Sequence, residues 1–350
     1  MRLLFVHHVV EDRGSAQDMY HYALAARDLG HEVLLFGAEP GGSPYDWTRR
    51  VERADAVIFI FEWTTNLQHG DELDLTRLVA TVPRRRRVVL DCDGRYNESI
   101  SVDGDQNHPD ADTSRDWIET CDAVADKICQ PTLHPRRPNV RPFLFHAYHP
   151  AWEVPLEPVG KEYGMCYVGN NWFRWKPVQR VLSALEPLRG EVGRIALVGH
   201  GWDAPAPWAN PSLTLDAYEF DADYLARLGV EVLPPVPFNE VVPQMGRGLF
   251  SPVVYRPLFD DLRLVTCRTF ETVAAGTIPL FAQNPSFVEE IYGPVGLELV
   301  LPREAPEEKI RDVLQRPEHY VAAVMEIRRR LAQEHSYHAR LAELLTIVED

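Results

Sequence analysis

Short apolar stretches alternate with amphipathic stretches along the whole chain. Buried parallel strands are nearly continuous apolar runs, and the connection between two parallel strands is usually a helix, so this alternation predicts βα units on parallel sheets. In the first half, strands are expected at residues 2–7, 31–36, 54–61, 87–91, 127–130 and 140–145. A helix is expected at residues 16–29, where apolar positions follow helical spacing and Gly30 can end the helix.

Periodicity stops and prolines accumulate at residues 148–160, which we interpret as a linker between two domains, residues 1–150 and 151–350. The alternation then restarts, with strands expected at residues 165–168, 194–198, 230–233, 249–253, 277–281 and 297–301. Helices are expected near residues 176–188, 221–228, 239–246, 268–275 and 284–291, and from residue 307 to the end. The predicted fold class is α/β, with two Rossmann-like parallel-sheet domains facing a cleft and C-terminal helices packing across them.

Composition and charge narrow the possible partners. The 350 residues carry a formal net charge of −16, whereas a general nucleic-acid binder needs a basic surface, so we expect no nucleic-acid partner. The five cysteines form no CxxC pair, which argues against a disulfide framework or a structural zinc site. No apolar run approaches the roughly 20 residues of a membrane span. The first residues also lack the plan of a signal peptide. We therefore expect a cytoplasmic protein with no integral membrane segment.

The segment at residues 267–281 carries the most specific chemistry. A short helix has Arg268 and Glu271 in its first turns, ends at Gly276, and is followed at once by an apolar strand. Free N–H groups at a helix start and a guanidinium suit a diphosphate, and a carboxylate can accept hydrogen bonds from both hydroxyls of a ribose. The alternative is a buried helix–strand unit, because Phe270 and its apolar neighbours have the character of core residues.

The same segment resembles a known family. Arg-x-Phe-Glu followed by small residues, Gly and an apolar strand is similar to the carboxy-terminal domain of sugar-nucleotide glycosyltransferases with the two-domain GT-B architecture, closest to the spore-maturation type of group 1. The resemblance implies that Glu271 holds the ribose, while Arg268 and the neighbouring amide of Thr269 face the diphosphate. Many retaining relatives carry a second Glu where this chain has Arg263, so the stereochemical outcome stays open.

A second part of the resemblance lies at residues 167–176, where a strand leads through a glycine turn into a helix. The family often places basic residues that reach the diphosphate here. The resemblance implies this role for Arg174 and Lys176, with Asn170 at the turn. The alternative is a solvated loop with ordinary surface charges.

Residues 199–204 match the pattern G-x-G-x-x-A after a predicted strand. A dinucleotide fingerprint needs a helix to begin there, because the pyrophosphate lies at its start. Three prolines between residues 205 and 211 oppose a helix, so we expect no NAD site. Gly201 is instead expected to line the donor pocket.

Two candidates for catalysis follow strands of the first half. Asp93 belongs to an Asp-x-Asp pair after residues 87–91 and could act as a base toward an acceptor hydroxyl or orient the donor sugar. The alternatives are a turn or helix-capping Asp, or a carboxylate pair binding a divalent cation. His8 ends the first strand and is expected to face the cleft, although a histidine at a strand end is more often structural.

The leading hypothesis is a metal-independent glycosyltransferase that moves a sugar from a nucleoside-diphosphate-sugar to a small-molecule or glycan acceptor, with no further cofactor. Asn170, Arg174, Lys176, Gly201, Arg268, Thr269 and Glu271 are the candidate donor-binding residues, and Asp93 and His8 the candidate catalytic residues. Three alternatives remain, namely a sugar-nucleotide epimerase of the same fold, an NAD-dependent oxidoreductase, and a protein that binds a sugar nucleotide without turning it over.

Overall fold

The computed structural model describes residues 1–7, 14–37, 46–62, 75–209 and 216–350. The strands described in the first half are β1 (Arg2–Val6), β2 (Glu32–Phe36), β3 (Trp47–Thr48), β4 (Ala56–Phe61), β5 (Arg87–Asp91), β6 (Ser101–Val102), β7 (Asp105–Gln106), β8 (Lys127–Gln130) and β9 (Val140–Pro142). Seven of them form one parallel sheet in the order β3-β2-β1-β4-β5-β8-β9, while β6 and β7 form a separate antiparallel hairpin.

The first sheet is buried on both faces, as its apolar strands predict. All six residues of β4 are buried, as are all five of β5. Helix α1 (Gly14–Asp28) contacts β2, and the other helices described here are α2 (Leu75–Thr81) and α3 (Ala111–Val124). Asp110 caps α3 by accepting a hydrogen bond of 2.7 Å from the backbone N–H of Thr113.

The second half repeats the architecture with a five-stranded parallel sheet in the order β12-β11-β10-β13-β14. Its strands are β10 (Tyr163–Val168), β11 (Ile195–Val198), β12 (Val230–Leu233), β13 (Gly248–Val253) and β14 (Ile278–Phe281). The helices of this half are α4 (Trp175–Leu185), α5 (Arg189–Val192), α6 (Ala222–Leu228), α7 (Phe238–Met245), α8 (Pro257–Asp261), α9 (Cys267–Ala274) and α10 (Pro285–Tyr292).

One predicted strand of this half is wrong. Residues 297–301 were expected to be a strand, but Pro294–Leu299 forms a 3₁₀-helix that packs on α10. Only Val300 makes a bridge to the sheet, opposite Phe281. A proline at the first position favours a helical turn because its ring fixes φ near the helical value.

The C-terminal helices connect the two halves, which confirms that prediction. They are α11 (Pro306–Gln315), α12 (Pro317–Glu334) and α13 (Tyr337–Glu349). Helix α12 packs on α9 and β14, while α13 crosses to the first half and packs on α1. Leu341 and Leu344 of α13 are fully buried in the core of the first sheet. No helix in the described ranges is long and apolar enough to cross a bilayer.

A buried ion pair joins the two halves. Asp105 of the β6–β7 hairpin accepts hydrogen bonds from Nε of Arg256, at 2.8 Å, from Nη2 of the same guanidinium, and from the backbone N–H of Leu258, at 3.0 Å. The side chain of Asp105 is fully buried and that of Arg256 is 9% exposed. The hairpin therefore holds α8 of the second half against the first half.

Candidate functional site

Helix α9 begins at the carboxyl end of the second sheet, on the side that faces the first half. The backbone N–H of Thr266, the residue before α9, donates a hydrogen bond of 3.1 Å to the Thr269 hydroxyl, which also contacts the Tyr255 hydroxyl. At the other end of the helix, buried Arg328 of α12 donates to the carbonyl groups of Val273 and Ala274. Both ends of α9 are thus fixed, and the Thr269 hydroxyl is engaged within the protein.

Glu271 is the central acidic group of this helix. Its side chain is 2% exposed, and its nearest ion-pair partner is Arg268, with Nη1 at 3.5 Å from Oε2. Oε2 is buried and has no hydrogen-bond partner among the described residues. Burial raises the pKa of Glu271, while the charge of Arg268 acts to lower it. A buried carboxylate oxygen without a donor costs free energy, so it is suited to accept a hydrogen bond from a ligand hydroxyl.

The glycine turns after β10 and β11 are bound to each other. Asn170 Oδ1 accepts a hydrogen bond of 2.9 Å from the backbone N–H of His200, and Asn171 Nδ2 donates one of 2.7 Å to the carbonyl of Gly201. Gly199 has φ +138°, and a Cβ atom there would lie 2.5 Å from the carbonyl oxygen of Gly169. The close approach at Gly199 requires glycine there, and the two hydrogen bonds hold the turns together. Residues 199–209 contain no helix, as their prolines predict, so the G-x-G-x-x-A pattern lacks the helix start that a dinucleotide fingerprint needs.

The two predicted cations of α4 lie in different surroundings. Arg174, which precedes the helix, donates a hydrogen bond of 3.0 Å to the carbonyl of Asn170. It is close enough to α9 for its charge to act on the Cys267 thiol, whose pKa burial raises. Lys176 is 42% exposed, and its Nζ lies 3.8 Å from Asp216 and 3.9 Å from Glu219. Arg174 therefore lies near the first residue of α9, whereas Lys176 is in contact with acidic residues.

On the first half, Asp93 lies beyond β5 in a partly buried position. Burial raises the pKa of Asp93 to about 6, and the charge of Glu62 adds to this, while Arg95 and Arg256 act in the opposite direction. A carboxylate with a pKa near neutrality is suited to accept a proton from a hydroxyl. Its neighbour Asp91 is buried and engaged, since it accepts hydrogen bonds from Gln130 Nε2 at 2.7 Å and from two backbone N–H groups.

This engagement of Asp91 removes one half of the Asp-x-Asp pair from the cleft. Within the described ranges, no group of three or more His, Cys, Asp or Glu side chains has the arrangement of a metal site. His8, the other predicted catalytic residue, lies outside the described residues.

Sequence reasoning missed Glu62, which follows the apolar strand β4. His7 Nε2 lies 3.2 Å from Oε2 of Glu62 and 3.4 Å from the Ser15 hydroxyl. Burial acts to raise the pKa of Glu62, but the hydrogen bond and charge of His7 outweigh it and lower the pKa to about 2. Glu62 is therefore an anion at the edge of the cleft. The available signal was a carboxylate directly after a six-residue apolar run at a strand's carboxyl end.

Sequence reasoning also missed a cluster formed by Asp18, His146 and Tyr337. His146 Nδ1 lies 2.8 Å from Asp18 Oδ2, and the Tyr337 hydroxyl donates a hydrogen bond of 2.6 Å to Asp18 Oδ1. All three side chains are buried. His146 and Tyr337 follow Asp18 by 128 and 319 positions, so no local sequence pattern marks the cluster.

Comparison with known proteins agrees with this geometry. A family model described as glycosyl transferase-like matches residues 176–346, and no curated protein matches the sequence. T4 phage β-glucosyltransferase, solved with its UDP-glucose substrate, is similar with a TM-score of 0.60 at 14% identity, and 100% of each chain is covered. An α-glucosyltransferase solved with UDP and a 13-mer DNA has a TM-score of 0.65 at 12% identity, with 100% of this chain and 99% of that chain covered.

The same T4 phage enzyme has also been solved with UDP and Mn²⁺, with a TM-score of 0.58 at 12% identity and 100% of each chain covered. At these identities the likeness concerns the fold. The fold is the GT-B fold of glycosyltransferases, as predicted. Its features are the two parallel-sheet domains, the cleft between them and the crossing of α13 from the second half to the first.

Proposed function

We propose that the protein is a glycosyltransferase that uses a nucleoside-diphosphate-sugar, with a UDP-sugar as the first candidate. The observation that carries this proposal is Glu271, a buried carboxylate with one oxygen that accepts no hydrogen bond, in an ion pair with Arg268 at the start of α9. The carboxylate would accept hydrogen bonds from the ribose hydroxyls. The guanidinium and the N–H groups of Cys267 and Arg268 would bind the diphosphate, whereas the N–H of Thr269 donates to the carbonyl of Thr266 at 3.0 Å. The glycosyltransferase-like family model and the UDP-containing similar structures support this choice.

In this proposal, the chemistry depends on charge stabilisation at the diphosphate. The bond between the anomeric carbon and the diphosphate oxygen breaks as the acceptor oxygen approaches, through an oxocarbenium-like state. Arg268 and Arg174 stabilise the charge that develops on the departing diphosphate. Asp93, with its pKa of about 6, would take the proton of the acceptor hydroxyl.

The acceptor is proposed to be a small molecule or a glycan. Three of the similar α-glucosyltransferase structures contain DNA. A net charge of −16 opposes binding of a polyanion, since phosphate contacts need Lys and Arg on the protein. Asp93 and Glu62 make the acceptor side acidic as well, which favours a neutral or cationic acceptor.

The test is a thermal-shift screen with UDP, GDP, ADP and dTDP, followed by NMR observation of the matching sugar nucleotide with and without candidate acceptors. A ligand at 100 times its Kd stabilises the folded state by about 2.7 kcal/mol. One of the four nucleotides is expected to stabilise the folded protein clearly more than the others. Release of the sugar from its nucleotide is expected to need an acceptor. Running the turnover with EDTA and with Mn²⁺ tests metal independence. No stabilisation by any of the four nucleotides would contradict the proposal.

A further inference from the structure

The buried cluster of Asp18, His146 and Tyr337 joins three elements that are distant in sequence. Asp18 lies on α1, His146 follows β9, and Tyr337 begins α13. Their exposures are 2%, 7% and 3%. The Tyr22 hydroxyl donates a hydrogen bond of 2.7 Å to the carbonyl of Phe145 and so fixes the backbone before His146. The imidazole is therefore held in one orientation by its own Nδ1 contact and by the preceding residue.

This cluster lies beside the proposed donor site. The ring of Phe270 on α9 packs on His335, two residues before Tyr337, with 5.9 Å between ring centres. The charges of His146 and Glu271 act on each other, and the charge of Asp18 also acts on Glu271. The imidazole thus lies on the first half of the molecule, opposite the start of α9 in the second half.

The charged groups around the imidazole are mainly acidic. Its own neighbour on α1 is Asp18, and Glu62 faces it from the end of β4. From the second half, Glu271 of α9 faces it, with Arg268 as the cation next to that carboxylate. Burial acts to lower the pKa of His146, but these three carboxylates outweigh it, so the pKa is raised above its usual 6.5. Cys267 of α9 interacts electrostatically with Asp18 and Tyr337, and the rings of His21 and His149 lie 5.0 and 6.2 Å from that of Tyr337. His7 contacts the Glu62 carboxylate.

Since Asp18 occupies Nδ1, any contact of the ring with a substrate must be made by Nε2. A protonated imidazole donates from both nitrogens, so Nε2–H is then a charged donor. The nearest proposed ligand is the nucleoside diphosphate on α9.

We infer that the imidazolium of His146, held by Asp18, donates a hydrogen bond from Nε2 to a diphosphate oxygen of the donor, so that the donor site includes a residue of the first half. This inference rests on the proposed function. It assigns Asp18 as a positioning residue, because Asp18 acts on the donor only through His146.

The test measures the Kd of UDP by calorimetry at several pH values from 6.5 to 9, where the terminal phosphate of UDP is largely ionised, its pKa being about 6. In the wild type, affinity is expected to fall as the pH rises through the pKa of His146. Asp18→Asn removes the carboxylate that favours the cation, so the affinity is expected to be weak and nearly independent of pH in this range. His146→Gln is expected to behave in the same way and to lower the affinity at pH 6.5 about tenfold, as for one hydrogen bond to a charged group.

Two variants serve as controls. Tyr337→Phe keeps the carboxylate beside His146 and is expected to leave the pH dependence nearly unchanged. Asp112→Asn, an exposed carboxylate on α3, is expected to change nothing. Thermal unfolding of each variant shows whether it folds, and His146→Gln carries the test if Asp18→Asn does not.

Three outcomes distinguish the claims. Loss of the pH dependence in Asp18→Asn or His146→Gln supports the inference. If UDP binds and both variants keep the wild-type affinity and pH dependence, the inference is wrong and the proposed function stands. If the wild type binds none of UDP, GDP, ADP and dTDP, the proposed function is wrong and the inference is overturned with it.

Discussion

Replacing Asp105 with Ala is expected to destabilise the protein strongly, because it breaks the buried ion pair that joins the two halves. In the wild type, Asp105 receives two hydrogen bonds from Arg256 and one from the backbone of Leu258. Without the carboxylate, a guanidinium and an N–H group remain buried without their acceptor. Removing one partner of a buried pair typically costs about 3–5 kcal/mol. The guanidinium keeps its stacking on the rings of Phe173 and Phe259, so we expect the lower part of this range.

The assay is urea unfolding of the full chain, followed by tryptophan fluorescence and circular dichroism. The matched control is Asp112→Ala, which breaks an exposed ion pair with Arg115, whose side chains are 81% and 61% exposed. Exposed pairs contribute at most about 1 kcal/mol. The double variant of Asp105→Leu with Arg256→Met is expected to recover most of the lost stability, because it leaves no unpaired charge. If Asp105→Ala costs no more than Asp112→Ala, the two halves are not held together by this pair.

Two further predictions concern proton equilibria. Asp93→Asn is expected to lower kcat by roughly 10²–10⁴-fold while leaving the Kd of UDP unchanged. In the wild type, kcat/KM is expected to fall below pH 6, where Asp93 becomes protonated. A variant with the same kcat as the wild type would contradict the role of Asp93 as the base. Burial and the charge of His149 lower the pKa of His21 from 6.5 to about 3. The stability that the neutral His21 contributes is therefore complete above pH 6.5 and is lost as the pH falls towards 3. Between pH 7.5 and 4.5, His21 accounts for a loss of about 3 kcal/mol in the free energy of unfolding. In His21→Phe, urea unfolding is expected to show a correspondingly smaller decrease of this free energy over the same pH range. An unchanged decrease would contradict a buried neutral His21.

Much of the fold can be predicted from the sequence because its cause is local. Strands covered by helices on both faces need continuous apolar runs, and β4, β5 and β11 each give such a run in the chain. The β6–β7 hairpin has two residues in each strand and no apolar run, so no pattern predicts it. Its role depends on the contact of Asp105 with Arg256, 151 positions away. The stretch at residues 297–301 shows the opposite error, because its apolar run predicts a strand where Pro294 begins a 3₁₀-helix.

The candidate site also contains residues that the sequence can predict and residues that it cannot. Glu271 and Arg268 could be predicted because both lie on one short helix that ends at a glycine. The acidic contacts of Lys176 could not, since Asp216 and Glu219 come from a distant segment. Glu62 and the cluster around His146 depend on which strand ends and helices meet at the cleft. That information belongs to the tertiary structure.

The most direct test of the account is the affinity of UDP, or of the nucleotide preferred in the screen, for the wild type and for Glu271→Gln. The substitution keeps the size of the side chain but removes its charge, and Glu298→Gln, an exposed residue that contacts His319, is the matched control. Calorimetry is expected to show binding by the wild type and the control, and a Kd weakened about tenfold to a hundredfold in Glu271→Gln, as for a lost hydrogen bond to a charged group. An unchanged Kd in Glu271→Gln would contradict the central claim that this buried carboxylate binds the nucleotide.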